Sequence, residues 1–253
     1  MRREYIDTMP NLAATWLSRL GLPAQALPAV PSQCAVCGRW PSLRICPDCR
    51  KRWMPQVHRC SRCALPLPSQ TLECGACLKR PPHLSHCVAV LDYGYPWQKL
   101  ITRYKFEGDL GLTHSLAHLI GTHEQALHCL QRSDALLPVP ASAARVRERG
   151  FDHMDLLARS LVRQTGYSAP ILSRAVQRRH VDLPQHSASR QQRLRQLRGV
   201  FSLHADATSQ IAGKRILLLD DVMTTGATLD ALAICLLDAG AASVCALALA
   251  RAA

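Results

Sequence analysis

Aromatic residues are scarce, at 5% of the chain, and they leave little material for stacking bases or filling a core. Charged residues stand at 19%, too few for a disordered or fibrous chain. No apolar run reaches the roughly 18 residues that a membrane-spanning helix needs. No export signal is legible either, because Glu4 and Asp7 interrupt the stretch that follows Arg2 and Arg3. The expectation is a cytoplasmic protein without a membrane span. No G-x-x-x-x-G-K-[ST] occurs, the nearest approach being Gly213-Lys214-Arg215, and no GxGxxG follows a strand. Those two absences argue against a P-loop nucleotidase and a dinucleotide-binding fold.

What the chain does have is cysteine. It holds 12 among 253 residues, and eight fall in four CxxC pairs: Cys34/Cys37, Cys46/Cys49, Cys60/Cys63 and Cys74/Cys77. Without an export signal such pairs indicate metal ligation rather than disulfides. Each CxxC turn presents two thiolates, and two turns complete the tetrahedron of a closed zinc site. The spacing suggests two sequential structural zinc ions, with interleaved pairing or an iron–sulfur cluster left open as alternatives. Four cysteines leave no open position for catalysis. The single cysteines Cys87, Cys129, Cys235 and Cys245 sit among apolar residues and read as core.

Charge is uneven against a net +13. Residues 32–82 hold 9 basic and 2 acidic side chains, and residues 141–215 hold 14 and 5. A zinc bound by four thiolates carries −2, so part of the first excess balances metal. The 48% apolar content can build one sizeable core with a small module attached.

Three segments follow from the pattern. Residues 1–31 give a short amphipathic helix over 10–20 and a proline-rich linker. Residues 32–82 form the cysteine module, too poor in large apolar residues to fold without metal. From residue 83 onward strands alternate with helices. HCVAVLDYGY, ALLPVP, KRILLLDDV and SVCALALA read as strands. PWQKLITRYK, LGLTHSLAHLIGTHEQALHCL, DHMDLLARSLVRQTG and GATLDALAICLLDAG read as helices, the third stopped by Gly166. Unbroken apolar strands between helices indicate an α/β fold with a parallel sheet covered on both faces. The basic stretch from Ser173 to Gly199 has no clean period and reads as a long loop.

The most specific segment joins Asp220 and Asp221, at the C-terminal end of an apolar strand, to Thr224, Thr225, Gly226, Ala227 and Thr228 at the start of a helix. Ligands bind at that edge of an open α/β sheet. Gly226 permits a tight bend, and free amides, hydroxyls and the helix dipole converge there on an anion. Two adjacent carboxylates need a diol or a magnesium ion to share. Phosphate and diol together describe a ribose 5-phosphate.

This segment resembles the signature of type I phosphoribosyltransferases, which bind phosphoribosyl pyrophosphate (PRPP). With the cysteine module in front, residues 32–253 resemble the ComF family of bacterial competence proteins. The likeness includes YKFEGD (Tyr104–Asp109), PVP (Pro138–Pro140), RGFDHMDLLA (Arg149–Ala158), and Gln185 with Arg193, Gln196 and Phe201. The family has RGFNQ where this chain has RGFDH, and Arg-x-x-Asn where it has Arg193-x-x-Gln196, so no role is assigned to Asp152, His153 or Gln196.

The resemblance implies a phosphoribosyltransferase-like domain over 83–253 behind a double zinc ribbon over 32–82. It implies that Asp220 and Asp221 bind the ribose hydroxyls and Thr224–Thr228 the 5-phosphate. The turn after Pro140, with Arg145 and Arg149, would face magnesium pyrophosphate, and residues 178–198 would form a mobile hood. The function implied is PRPP binding in the handling of single-stranded DNA during natural transformation, with DNA-uptake or recombination proteins as partners. An active phosphoribosyltransferase with an unknown acceptor is the alternative, and a metal-dependent scaffold the third reading.

Overall fold

A computed structural model describes residues 32–68, 70–179 and 199–252. The helix and linker read at 1–31, and residues 180–198 with Gln185, Arg193 and Gln196, lie outside these. The chain divides into two compact units, 1–47 and 48–253. In the first, the backbones of Ser32 and Ser42 exchange two 2.8 Å hydrogen bonds and close a knuckle in which Gly38 turns at φ 75°.

The second unit is built in α/β order. After α1 (Pro47–Trp53) and α2 (Gly75–Lys79) come β1 (His86–Asp92), α3 (Trp97–Phe106), α4 (Thr113–Gly121), α5 (Glu124–Gln131) and β2 (Ala135–Pro138). Then follow α6 (Ala143–Arg149), α7 (His153–Thr165), β3 (Val176–Arg178) and β4 (Phe201–Leu203). The chain ends with α8 (Thr208–Ile211), β5 (Arg215–Met223), α9 (Ala227–Asp238) and β6 (Ser243–Arg251).

Four strands form one parallel sheet in the order β1-β6-β5-β2. The central pair shows why its sequence is apolar at successive positions: Ile216–Leu219 and Ala246–Ala250 are buried on both faces. On one face Cys87, Leu137, Ile216, Leu218 and Ala246 share a core with Leu229, Leu232 and Leu236 of α9. Cys60, Cys63, Cys74 and Cys77 belong to that same core. Helices α5 and α7 pack on the sheet from other positions, and α4 packs on α7. Helix α7 carries its own boundaries, since the Asp152 carboxylate accepts from the amides of Met154 and Asp155 and Gly166 ends it at φ 67°.

The stretch 110–130, read as one helix, is broken into α4 and α5 at Thr122 and His123, and other elements also differ from the sequence reading. Val176–Arg178 pairs antiparallel with Phe201–Leu203, where a loop was expected over Ser173–Gly199. Three-residue strands cannot display a period, and their pairing partner lies across residues 180–198. Helix α6 buries none of its residues, so no apolar stripe announces it. It is held by the Ser142 hydroxyl, which accepts from the amide of Arg145, and by Gly150 at φ 80°.

Candidate functional site

Strand β5 pairs Asp220 with Ala248 of β6 and runs three residues further, to Met223, before the chain bends. The bend ends at Gly226, with φ 74° and ψ 2°, which is also the residue before α9. A Cβ at that position would stand 2.5 Å from the Met223 Cε, so both backbone angle and space favour glycine. The Thr225 hydroxyl accepts from the amide of Ala227 at 3.4 Å. Thr224 is exposed and Thr225 and Thr228 are half-buried. The turn thus offers hydroxyls and the amides of a 12-residue helix on one side of the sheet edge.

The two carboxylates are not equivalent. Asp221 is buried, its Oδ2 lying 2.5 Å from the Lys105 Nζ and 3.0 Å from the His153 Nε2. Its Oδ1 accepts from the amide of Val222 at 2.7 Å. The Arg149 Nη1 stands 3.1 Å from the His153 Nδ1. A guanidinium can only donate, so Nδ1 accepts and the imidazole proton sits on Nε2, directed at Asp221. The Tyr104 hydroxyl fixes this histidine further by donating to its carbonyl at 2.6 Å. Burial alone would raise the pKa of Asp221, but the Lys105 ammonium and the His153 N–H hold it well below the usual carboxylate range. These partners favour the ionised form of Asp221 at neutral pH.

Asp220 is half-buried, and its Oδ1 accepts from the amide of Asp221 at 3.0 Å. Burial and the neighbouring Asp221 charge push its pKa up, with Lys105 and Arg178 opposing only in part. One carboxylate is therefore locked in the ionised form and the other takes up a proton more readily.

The eight paired cysteines gather as sequential groups. The Sγ atoms of Cys34, Cys37, Cys46 and Cys49 all lie within 4.8 Å of one another, and those of Cys60, Cys63, Cys74 and Cys77 do likewise. Four sulfurs at ~2.3 Å from a zinc ion define tetrahedral edges of about 3.8 Å. The Cys37–Cys46 and Cys63–Cys74 sulfurs are 3.8 and 3.6 Å apart, which fits that tetrahedron and is far beyond a disulfide bond. Backbone amides support both sites, Cys46 N–H donating to the Cys34 sulfur at 3.4 Å and Cys74 N–H to the Cys60 sulfur at 3.3 Å. Both groups could hold zinc.

The family model for the phosphoribosyl transferase domain matches residues 151–253. DNA utilization protein YhgH of Shigella flexneri is 33% identical over 224 residues, covering 85% of this chain and 95% of that protein. Competence protein F of Haemophilus influenzae is 31% identical over 189 residues, covering 74% of this chain and 81% of that one. The chain belongs to the ComF family. Competence protein ComFC of Bacillus subtilis is 26% identical over 212 residues, covering 80% and 82% of the two chains.

Within this ComF-family chain, Asp220, Asp221 and Thr224–Thr228 form one continuous edge, to which His153 links Arg149. Arg145 is exposed and lines a cavity of 570 Å³ together with Arg149. Three residues of the site went unassigned in the sequence: Lys105, His153 and Arg178. Lys105 had a signal, because it stands in YKFEGD beside the fully buried Tyr104. His153 falls where this chain departs from RGFNQ, and only the fold brings it to Asp221. No helix among the described residues is long and apolar enough to cross a membrane.

Proposed function

We propose that this protein binds PRPP, with magnesium on its pyrophosphate, at the C-terminal edge of the sheet, and uses that site in handling single-stranded DNA. The observation that carries the reading is the strand–turn–helix at Asp220–Thr228, where half-exposed carboxylate, hydroxyls and helix amides converge beside a left-handed glycine. The turn takes the 5-phosphate. Asp220 accepts hydrogen bonds from the ribose hydroxyls, while Asp221, whose oxygens already meet Lys105, His153 and the Val222 amide, keeps the edge in place. Arg145 and Arg149 supply positive charge on the pyrophosphate side, and magnesium neutralises that group when bound. Residues 32–82 act as the zinc module and residues 83–253 as the sugar-phosphate domain.

The relatives named for DNA utilization and competence support the nucleic-acid half of this reading, as does the basic excess over 141–215. Calorimetry with magnesium and PRPP tests the sugar-phosphate half. Binding is expected for the wild type and loss for Asp220→Asn, whose amide oxygen still accepts from the Asp221 amide and so spares the backbone. Undiminished binding by the variant would refute the assignment. Pyrophosphate released on adding an acceptor would establish the alternative, an active phosphoribosyltransferase.

A further inference from the structure

The ends of α3 and α6 enclose the 570 Å³ cavity, and its lining is unusual for so aromatic-poor a chain: Phe106 and Phe151 stand with Arg145, Arg149, Glu107 and Glu148. Phe106 is 64% exposed, a large apolar ring at the surface. The Arg149 guanidinium lies 5.0 Å from the centroid of that ring, and the Lys105 ammonium 5.7 Å. Phe151 closes another side against Gly108, where an added Cβ would meet its ring at 3.8 Å. Among the described residues neither Arg145 nor Arg149 has a carboxylate in ion-pair distance. The cavity therefore combines a flat apolar surface, a flat cationic surface, unneutralised arginine, and carboxylates that can accept from base N–H groups. It also communicates with the sheet edge, since Arg149 reaches Asp221 through His153 in two hydrogen bonds of 3.1 and 3.0 Å.

We propose that this cavity is a nucleotide site, in which one planar base stacks against Phe106 and the adjoining Arg149 plane while a phosphate meets Arg145. The occupant is a base of a single-stranded nucleic acid or a free nucleotide, which share this chemistry. The inference rests on the reading of the chain as a nucleic-acid-handling protein and names where a base is held.

The test uses fluorescently labelled dT12, an abasic strand of equal length and free dTMP, titrated into full-length zinc-loaded protein. Wild type is expected to prefer dT12 over the abasic strand, Phe106→Ala to lose that preference with a drop of about ten-fold in dT12 affinity, and Phe106→Tyr to restore it. Because Phe106 is exposed, the zinc content and circular dichroism of Phe106→Ala should match wild type. Binding of dTMP with the same Phe106 dependence, but no preference for dT12, supports the site and makes a free nucleotide its occupant. Equal binding of dT12 and abasic strand by the wild type, together with no Phe106-dependent binding of dTMP, overturns the site while leaving electrostatic DNA binding intact. Loss of the preference in Tyr95→Ala but not in Phe106→Ala also overturns it, moving the stacking to the Trp53–Tyr95 pair, whose rings meet edge-on at 5.0 Å. Failure of both dT12 and dTMP to bind would overturn the DNA-handling reading as well.

Discussion

Lys105→Met removes the ammonium that stands 2.5 Å from Asp221 and leaves that carboxylate buried. The side chains are 21% and 4% exposed, so the pair is far from a surface contact. Breaking a buried ion pair by deleting one partner costs ~3–5 kcal/mol. Here the His153 N–H and the Val222 amide still serve Asp221, and Lys105 keeps some solvent, which places the expected loss at the low end, about 3 kcal/mol. The double variant Lys105→Met/Asp221→Asn removes the orphaned charge and keeps one oxygen for His153, at the loss of the bond from the Val222 amide. It should recover about 2 kcal/mol over the single variant, because a neutral pair avoids the burial penalty. pH provides an independent handle. A depressed Asp221 pKa stabilises the wild type above the unfolded value of ~3.9 and ceases to do so as pH falls through the folded value. Without Lys105 the folded pKa climbs, so the deficit of the variant is largest at neutral pH and narrows towards acid. Urea denaturation of zinc-loaded proteins at pH 7.5 reads the loss and its recovery, while the narrowing lies below the unfolded value of ~3.9. A single variant within 0.5 kcal/mol of wild type, or a double variant no better than the single, would refute the reasoning.

Three further outcomes are expected. Gly226→Ala places a Cβ at φ 74°, and although the Met223 methyl can move aside, the left-handed backbone should cost about 1–2 kcal/mol and lower the thermal midpoint by several degrees. Asp220→Asn should instead stabilise the fold. Its raised pKa means the native state holds a proton that the unfolded state has released, so wild-type stability falls as pH climbs through that interval, and the gain in thermal midpoint should be larger at pH 8 than at pH 5. Elemental analysis should find two zinc ions per chain and one in either Cys37→Ser or Cys60→Ser. Only the second substitution touches the core shared with the sheet, so circular dichroism should report the larger loss of structure there.

Much of this was legible in the sequence because it is written in local pattern. Unbroken apolar runs marked β5 and β6, buried on both faces, and the CxxC spacings marked both sulfur groups. Gly166 even marked the end of α7, since caps act within a turn or so. The inequality of Asp220 and Asp221 was not legible. It arises from Lys105 and His153, one of them 116 positions and the other 68 positions from Asp221 in the chain, brought there by the parallel sheet. The aromatic and basic cavity was hidden for the same reason: Phe106 and Phe151 look like stray core residues until α3 and α6 end side by side. The β3–β4 pair and α6 were missed because their stability lies in a distant partner and in caps rather than in a period.

Hydrogen–deuterium exchange of the zinc-loaded protein, with and without magnesium and PRPP, locates the sugar phosphate without any substitution. Slowed exchange confined to the amides of 221–229, with a smaller effect on α6, is the result expected. Unchanged exchange in that peptide, with PRPP protecting some other surface, would contradict the assignment of the Asp220–Thr228 edge as the phosphoribosyl site.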